Sequence, residues 1–120
     1  MRNRAFSDSA RAYKTAHDLR PKDAIILAGY GRALLADGKF SQALDILEQA
    51  RVRDFRNSAL LRDLGVAYSK LGKHAMASLV TAERYALRGR IKDAKMHANR
   101  AAAGLPVGSP SWQRAQDVID

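Results

Sequence analysis

A short inventory of reactive side chains bounds the chemistry this chain could perform. Three histidines are present, in His17-Asp18-Leu19-Arg20-Pro21, His74-Ala75-Met76-Ala77-Ser78 and His97-Ala98-Asn99-Arg100-Ala101, and there is no cysteine. Without thiols, a disulfide scaffold, a thiolate zinc site and a cysteine nucleophile are excluded. A hydrolytic zinc site on a helix needs H-E-x-x-H, two imidazoles on one face with a carboxylate base beside them. None of the three histidines carries that glutamate or a second histidine. Glu48 and Glu83 are the only glutamates. They fall in different expected helices, and no paired carboxylates share a face with a histidine. No nucleophile can be matched to a base, so the sequence assigns no catalytic residue, no metal ligand and no cofactor. The histidines are read as surface or interhelix side chains.

Charge offers more. The 120 residues carry 21 Lys and Arg against 12 Asp and Glu, a formal net charge of +9. Between residues 84 and 100 stand Arg84, Arg88, Arg90, Lys92, Lys95 and Arg100, with Asp93 the one acid. A second cluster, Arg51, Arg53, Arg56 and Arg62, surrounds Asp54. Such patches suit an anionic partner: an acidic peptide, a phospholipid head group or a nucleic acid. The plainer reading, which is preferred, is that they are the solvated outer faces of a helical stack. Nucleic acid is disfavoured because exposed aromatics do not interleave the charges.

The elements that position these residues follow from composition and periodicity. Hydrophobic residues make up 47% and charged residues 28%, which argues for a globular chain over a disordered one. Proline and glycine are few and alanine is abundant, which favours helix. The longest apolar runs, such as residues 24–29, fall far short of the roughly 20 residues a membrane span needs. Met1-Arg2-Asn3-Arg4-Ala5-Phe6 has no apolar stretch behind its charges, so no signal peptide is read there.

The chain also repeats. Leu27, Tyr30, Gly31, Leu34, Gly38, Phe40 and Ala43 recur 34 residues later as Leu61, Leu64, Gly65, Tyr68, Gly72, His74 and Ala77. Stepping back by the same interval gives Phe6, Ser9, Tyr13 and Ala16, so the chain opens in the second half of a repeat. From Gly72 to Gly89 the interval halves to 17 residues, making the helix between them the end of one hairpin and the start of the next. Seven helices are expected, at about 6–19, 24–36, 40–53, 58–70, 74–87, 91–103 and 110–119. Asp23 and Ser58 are the expected N-caps, Gly38, Gly72 and Gly89 the left-handed stops, and Ser109-Pro110 a cap followed by proline. Gly31, Gly65 and Ala82 are expected where paired helices cross closely.

This pattern resembles the tetratricopeptide repeat, whose period is about 34. The resemblance implies one all-α, right-handed solenoid of antiparallel helix hairpins over residues 1–120, closed by a capping helix at 109–120. It implies a non-catalytic module that binds a protein or peptide, which the basic residues would make an acidic one. First-helix residues pointing away from their partner helix line the groove in such stacks. Here these are Ala28, Arg32, Leu35, Arg62, Val66, Ser69, Leu79 and Glu83. The carboxylate-clamping pattern of the family has asparagine where Val66 stands, which counts against that ligand mode. Trp112 is read as covering the end of the stack, with Gln113, Arg114, Gln116 and Asp117 facing water; an exposed anchor for a partner is the other reading.

The closing run Leu105-Pro106-Val107-Gly108-Ser109-Pro110-Ser111-Trp112-Gln113-Arg114-Ala115-Gln116-Asp117-Val118 is similar to the end of BepA-like periplasmic zinc metallopeptidases. That resemblance implies the C-terminal recognition region of a larger enzyme, periplasmic in location, whose peptidase domain precedes it. The alternatives are a free-standing adaptor, cytoplasmic or periplasmic, and a basic helical-repeat nucleic-acid binder. The open first helix also suggests end-to-end self-association.

Overall fold

A computed structural model describes residues 4–120; the Met1-Arg2-Asn3 run of the N-terminal reading lies outside them. Among the described residues there are seven α-helices and no strand: α1 (Arg4–Leu19), α2 (Ala24–Ala36), α3 (Phe40–Arg53), α4 (Ser58–Lys70), α5 (His74–Leu87), α6 (Ile91–Gly104) and α7 (Pro110–Ile119). The fold is the all-α helical-hairpin repeat that the spacing predicts, with α1 starting two residues earlier and α6 ending one later than expected.

The turns explain why the helices stop where they do. Gly38, Gly72 and Gly89 have φ of +76°, +74° and +76°, a left-handed conformation that a Cβ disfavours. Behind each glycine the next amide reaches back over the helix end. Lys39 N donates to Leu34 O at 2.9 Å, Lys73 N to Tyr68 O at 2.8 Å and Arg90 N to Tyr85 O at 2.9 Å. Asp23 caps α2, its carboxylate accepting from Ile25 N at 2.9 Å and Ile26 N at 3.1 Å. The cap of α4 is Asn57 rather than Ser58: Asn57 Oδ1 accepts from Leu60 N at 3.0 Å, which places Ser58 as the first helical residue. Ser109 Oγ accepts from Trp112 N at 3.2 Å, with Pro110 leading α7.

Packing divides the chain into two compact units, residues 1–63 and 64–120, with the boundary inside α4. In the first, α2 packs between α1 and α3, and Leu27, Leu34, Leu44 and Leu47 form the buried centre. In the second, α7 packs on both α5 and α6, and Leu79, Ala101 and Ala115 are buried together with Met76 and Leu105 against them.

The expected close crossings divide into two kinds. A Cβ on Gly31 would sit 2.5 Å from Leu47 Cγ, so that position requires glycine. A Cβ on Gly65 would meet nothing closer than Val80 Cγ2 at 3.7 Å and Thr81 Oγ1 at 3.9 Å. The expectation of a tight crossing at Gly65 is therefore corrected: its partner there is the smaller threonine, and the space for a methyl is open.

Candidate functional site

Each expected groove residue takes a definite place within its own unit. In the first, Ala28 and Leu35 are half-buried on α2, while Arg32 and Arg62 are exposed. Both guanidiniums flank one buried carboxylate. Arg32 Nε donates to Asp63 Oδ2 at 3.0 Å, and Arg62 Nε stands 3.9 Å from Asp63 Oδ1. Asp63 is only 8% exposed, so the two arginines neutralise an internal acid with one positive charge left over. In the second unit, Val66 and Ser69 are exposed, but Leu79 and Glu83 are not groove residues. Leu79 lies in the core with no exposed surface. The Glu83 carboxylate takes two bonds from Arg114, Oε1 from Nη2 at 2.5 Å and Oε2 from Nε at 3.1 Å. Arg114, expected to face water, is thus turned inward across α5 and α7.

One concavity of the first unit lies between α1 and α2. Phe6, Ser9, Tyr13, Gly29, Arg32, Ala33 and Ala36 line a notch of about 280 Å³. Repeat register makes this notch informative. Phe6, Ser9, Tyr13 and Ala16 of α1 correspond to Phe40, Ala43, Leu47 and Ala50 of α3, and to Ile91, Ala94, Ala98 and Ala101 of α6. The last three of each of those later sets are at most 1% exposed. On α1, Phe6 is 42% and Tyr13 37% exposed. The apolar face that a first helix covers in α3 and α6 is therefore open on α1. The Tyr13 ring instead leans over α2, where a Cβ on Gly29 would sit 2.6 Å from Tyr13 Cζ.

A family model, Tetratricopeptide repeat, matches residues 1–64. The chain belongs to the tetratricopeptide repeat family. No curated protein matches it. Repeats of this family mediate protein–protein interaction, and the open α1–α2 notch lies inside the segment of this tetratricopeptide chain that the family model covers.

The basic segment lies outside the match, on α5 and α6. Arg90 pairs with Asp93 at 2.7 Å and stacks its guanidinium 4.8 Å over the Tyr85 ring, with Arg84 6.0 Å from the same ring. Among the described residues, Arg88, Lys92, Lys95 and Arg100 are exposed cations with no carboxylate partner. His97 stacks on Tyr85 at 5.4 Å. Burial, and secondarily the Arg100 charge, hold its imidazole below the ordinary histidine value of 6.5, against an opposing pull from Asp93. His17 makes the matching contact in the first unit, 5.4 Å from Tyr30. No group of three His, Asp or Glu among the described residues could hold a metal ion. Trp112 is half-buried and Ala115 fully buried, so α7 closes over α5 and α6 by its small residue as much as by its large one.

Two features escaped the sequence. One is a cleft of about 390 Å³ lined by Ser7, Arg11, Lys14, Tyr30, Asp37, Lys39 and Gln42, in which the buried Asp37 accepts from Ser7 Oγ at 2.8 Å. The other is the spacing of the long-range ion pairs. Arg32–Asp63 and Glu83–Arg114 both span 31 residues, and they are offset from each other by 51, the distance from Gly38 to Gly89. Opposite charges at one repeated register were the available signal.

Proposed function

We propose that the chain is a non-catalytic docking module whose protein-binding site is the α1–α2 notch, and that its occupant is an amphipathic helix of a partner protein carrying a carboxylate. One observation carries this reading: Ser9, Tyr13 and Ala16 of α1, equivalent to fully buried positions of α3 and α6, are exposed or half-buried, beside the exposed Phe6. Helix-in-groove binding needs an apolar row and a fixed polar contact beside it. Phe6, Tyr13 and Ala36 supply the row. Arg32, 57% exposed at its side chain although its Nε is engaged by Asp63, turns the rest of its guanidinium outward for a partner's carboxylate. Rigid helices reduce the ordering penalty of binding.

The test is site-specific photo-crosslinking in source cells from a benzophenone side chain at Tyr13, with the exposed Lys22 as the comparison position. The expected result is one protein product from Tyr13 that disappears with Phe6→Asp. Equal products from both positions, or a Tyr13 product indifferent to Phe6→Asp, would overturn the reading.

A narrower context, that of the C-terminal recognition region of a periplasmic zinc metallopeptidase, rests on the closing stretch 105–118 and its capped helix. Immunoblotting source cells tests it. A band several times the length of this chain supports that parent, and a band of its own length leaves a free-standing adaptor.

A further inference from the structure

We propose that the α5–α6 turn and the outer face of α6 form a peripheral docking surface for an anionic phospholipid bilayer. An α-helix advances about 100° per residue, so Ile91, Lys95, Lys92 and Met96 fall in that order within an arc of about 140°. Lys92 and Met96 lie opposite the buried stripe of Ala94, Ala98 and Ala101, and Ile91 stands at its edge. Ile91 is 53% and Met96 49% exposed. Between them project Lys92 and Lys95, and Arg88 flanks them from the end of α5. None of these three cations has an internal carboxylate among the described residues. Leu87, 36% exposed, adds a third apolar side chain at the turn.

Cations alone would suit any polyanion. The exposed aliphatic side chains decide between partners. An acidic protein would bind most strongly through side chains seated in pockets, whereas this surface is the convex side of a helix with lysines at its centre and apolar groups at its edges. A bilayer adapts to that shape. Lysine heads stay at the phosphate level while Ile91, Met96 and Leu87 reach the acyl boundary, the arrangement of interfacial helices. No helix among the described residues is long and apolar enough to cross a membrane, so attachment through this face is peripheral. Each cation held at an anionic surface strengthens attachment about fivefold at moderate salt.

The test is co-sedimentation of the intact chain with vesicles of phosphatidylcholine, with and without phosphatidylserine. Binding is expected only with phosphatidylserine, and it weakens at high salt. Lys92→Gln with Lys95→Gln is expected to lower the partition coefficient about 25-fold, two fivefold factors multiplied. Ile91→Ser with Met96→Ser is expected to lower it several-fold while leaving retention on immobilised poly-glutamate unchanged. All four side chains are exposed, so circular dichroism and melting of the variants should match the parent. The proposal is overturned if phosphatidylserine vesicles fail to bind the folded chain. It is equally overturned if the Ile91/Met96 variant binds them undiminished, which would assign the patch to acidic proteins.

Discussion

At the α2–α3 crossing, Gly31 lies so close to Leu47 that no Cβ fits between them. At the α5–α6 crossing, 51 residues further on, the same two positions hold Ala82 and Ala98, both fully buried. Between them in sequence, Gly65 faces Thr81 with its nearest atoms at ordinary contact distance. How closely two helices approach and which side chains meet there decide the fit together. Glycine against leucine leaves no room for a methyl, two buried alanines stand at the α5–α6 crossing, and glycine beside threonine leaves room for one. The repeated glycine of Gly31 and Gly65 therefore has a steric cause in one unit that it lacks in the other.

The largest expected effects come from breaking the filled crossing. Leu47→Ala should cost about 2–5 kcal/mol, since Leu47 is fully buried. Gly31→Ala should cost about 1–3 kcal/mol through overpacking, because the fully buried Leu47 would have to shift to admit the methyl. Combined, the two reproduce the alanine pair of the α5–α6 crossing. In the Leu47→Ala background, Gly31→Ala should turn favourable by about 1 kcal/mol, the helix-propensity difference between the residues. Urea unfolding of the four-member cycle measures this, and strict additivity would refute the shared-volume account.

The ion pairs sharpen the same contrast at a smaller scale. Glu83 and Arg114 have side chains only 20% and 23% exposed and meet through two bonds. Arg114→Ala leaves a largely desolvated carboxylate and should cost about 1–3 kcal/mol. Arg32 is 57% exposed, and Arg62 remains beside Asp63 when it is removed. Arg32→Ala should therefore cost below about 1 kcal/mol, after solvent screening. Melting both variants ranks the pairs, and an Arg32 effect equal to that of Arg114 would show that Arg62 gives no backup.

The slack crossing gives a gain. Gly65→Ala puts a methyl inside α4 at ordinary contact distance from Val80 and Thr81 and should stabilise by up to about 1 kcal/mol. A loss of stability there, measured by the same urea titration, would mean that Gly65 serves a closer approach than the 3.7 Å contact indicates.

How much of this was legible depends on whether the signal was local. The glycine stops, the Asp23 and Ser109 caps and the bounds of the seven helices were readable because each is set by residues within one turn of the chain. The crossings were half readable: the glycines announce that two helices meet, but the partner across the gap sets the distance. The groove was least readable in α5. Projecting Leu79 and Glu83 onto an open face treats α5 as an ordinary first helix. The 17-residue half-step instead places α5 against both α6 and α7, so Leu79 joins the core and Glu83 meets Arg114. The basic run was visible as charge, while the exposure of Ile91 and Met96 within it depends on which face of α6 the alanines bury.

The smallest expected effect separates the two histidine–tyrosine contacts, His17 on Tyr30 and His97 on Tyr85. Burial first, then Arg100, lowers the affinity of His97 for a proton. Lowering the pH through 6.5, the unfolded chain takes up its proton before the folded one does. Stability therefore declines as pH falls from about the ordinary histidine value, and the decline levels off below the depressed folded value. Arg100→Ala removes the lesser cause, so the His97 midpoint followed by NMR should rise only part of the way toward 6.5. Asp93→Asn removes the opposing charge and should lower the midpoint further. A midpoint unmoved by Arg100→Ala would leave burial against Tyr85 as the whole cause, and would detach His97 from the positive field of the α6 patch.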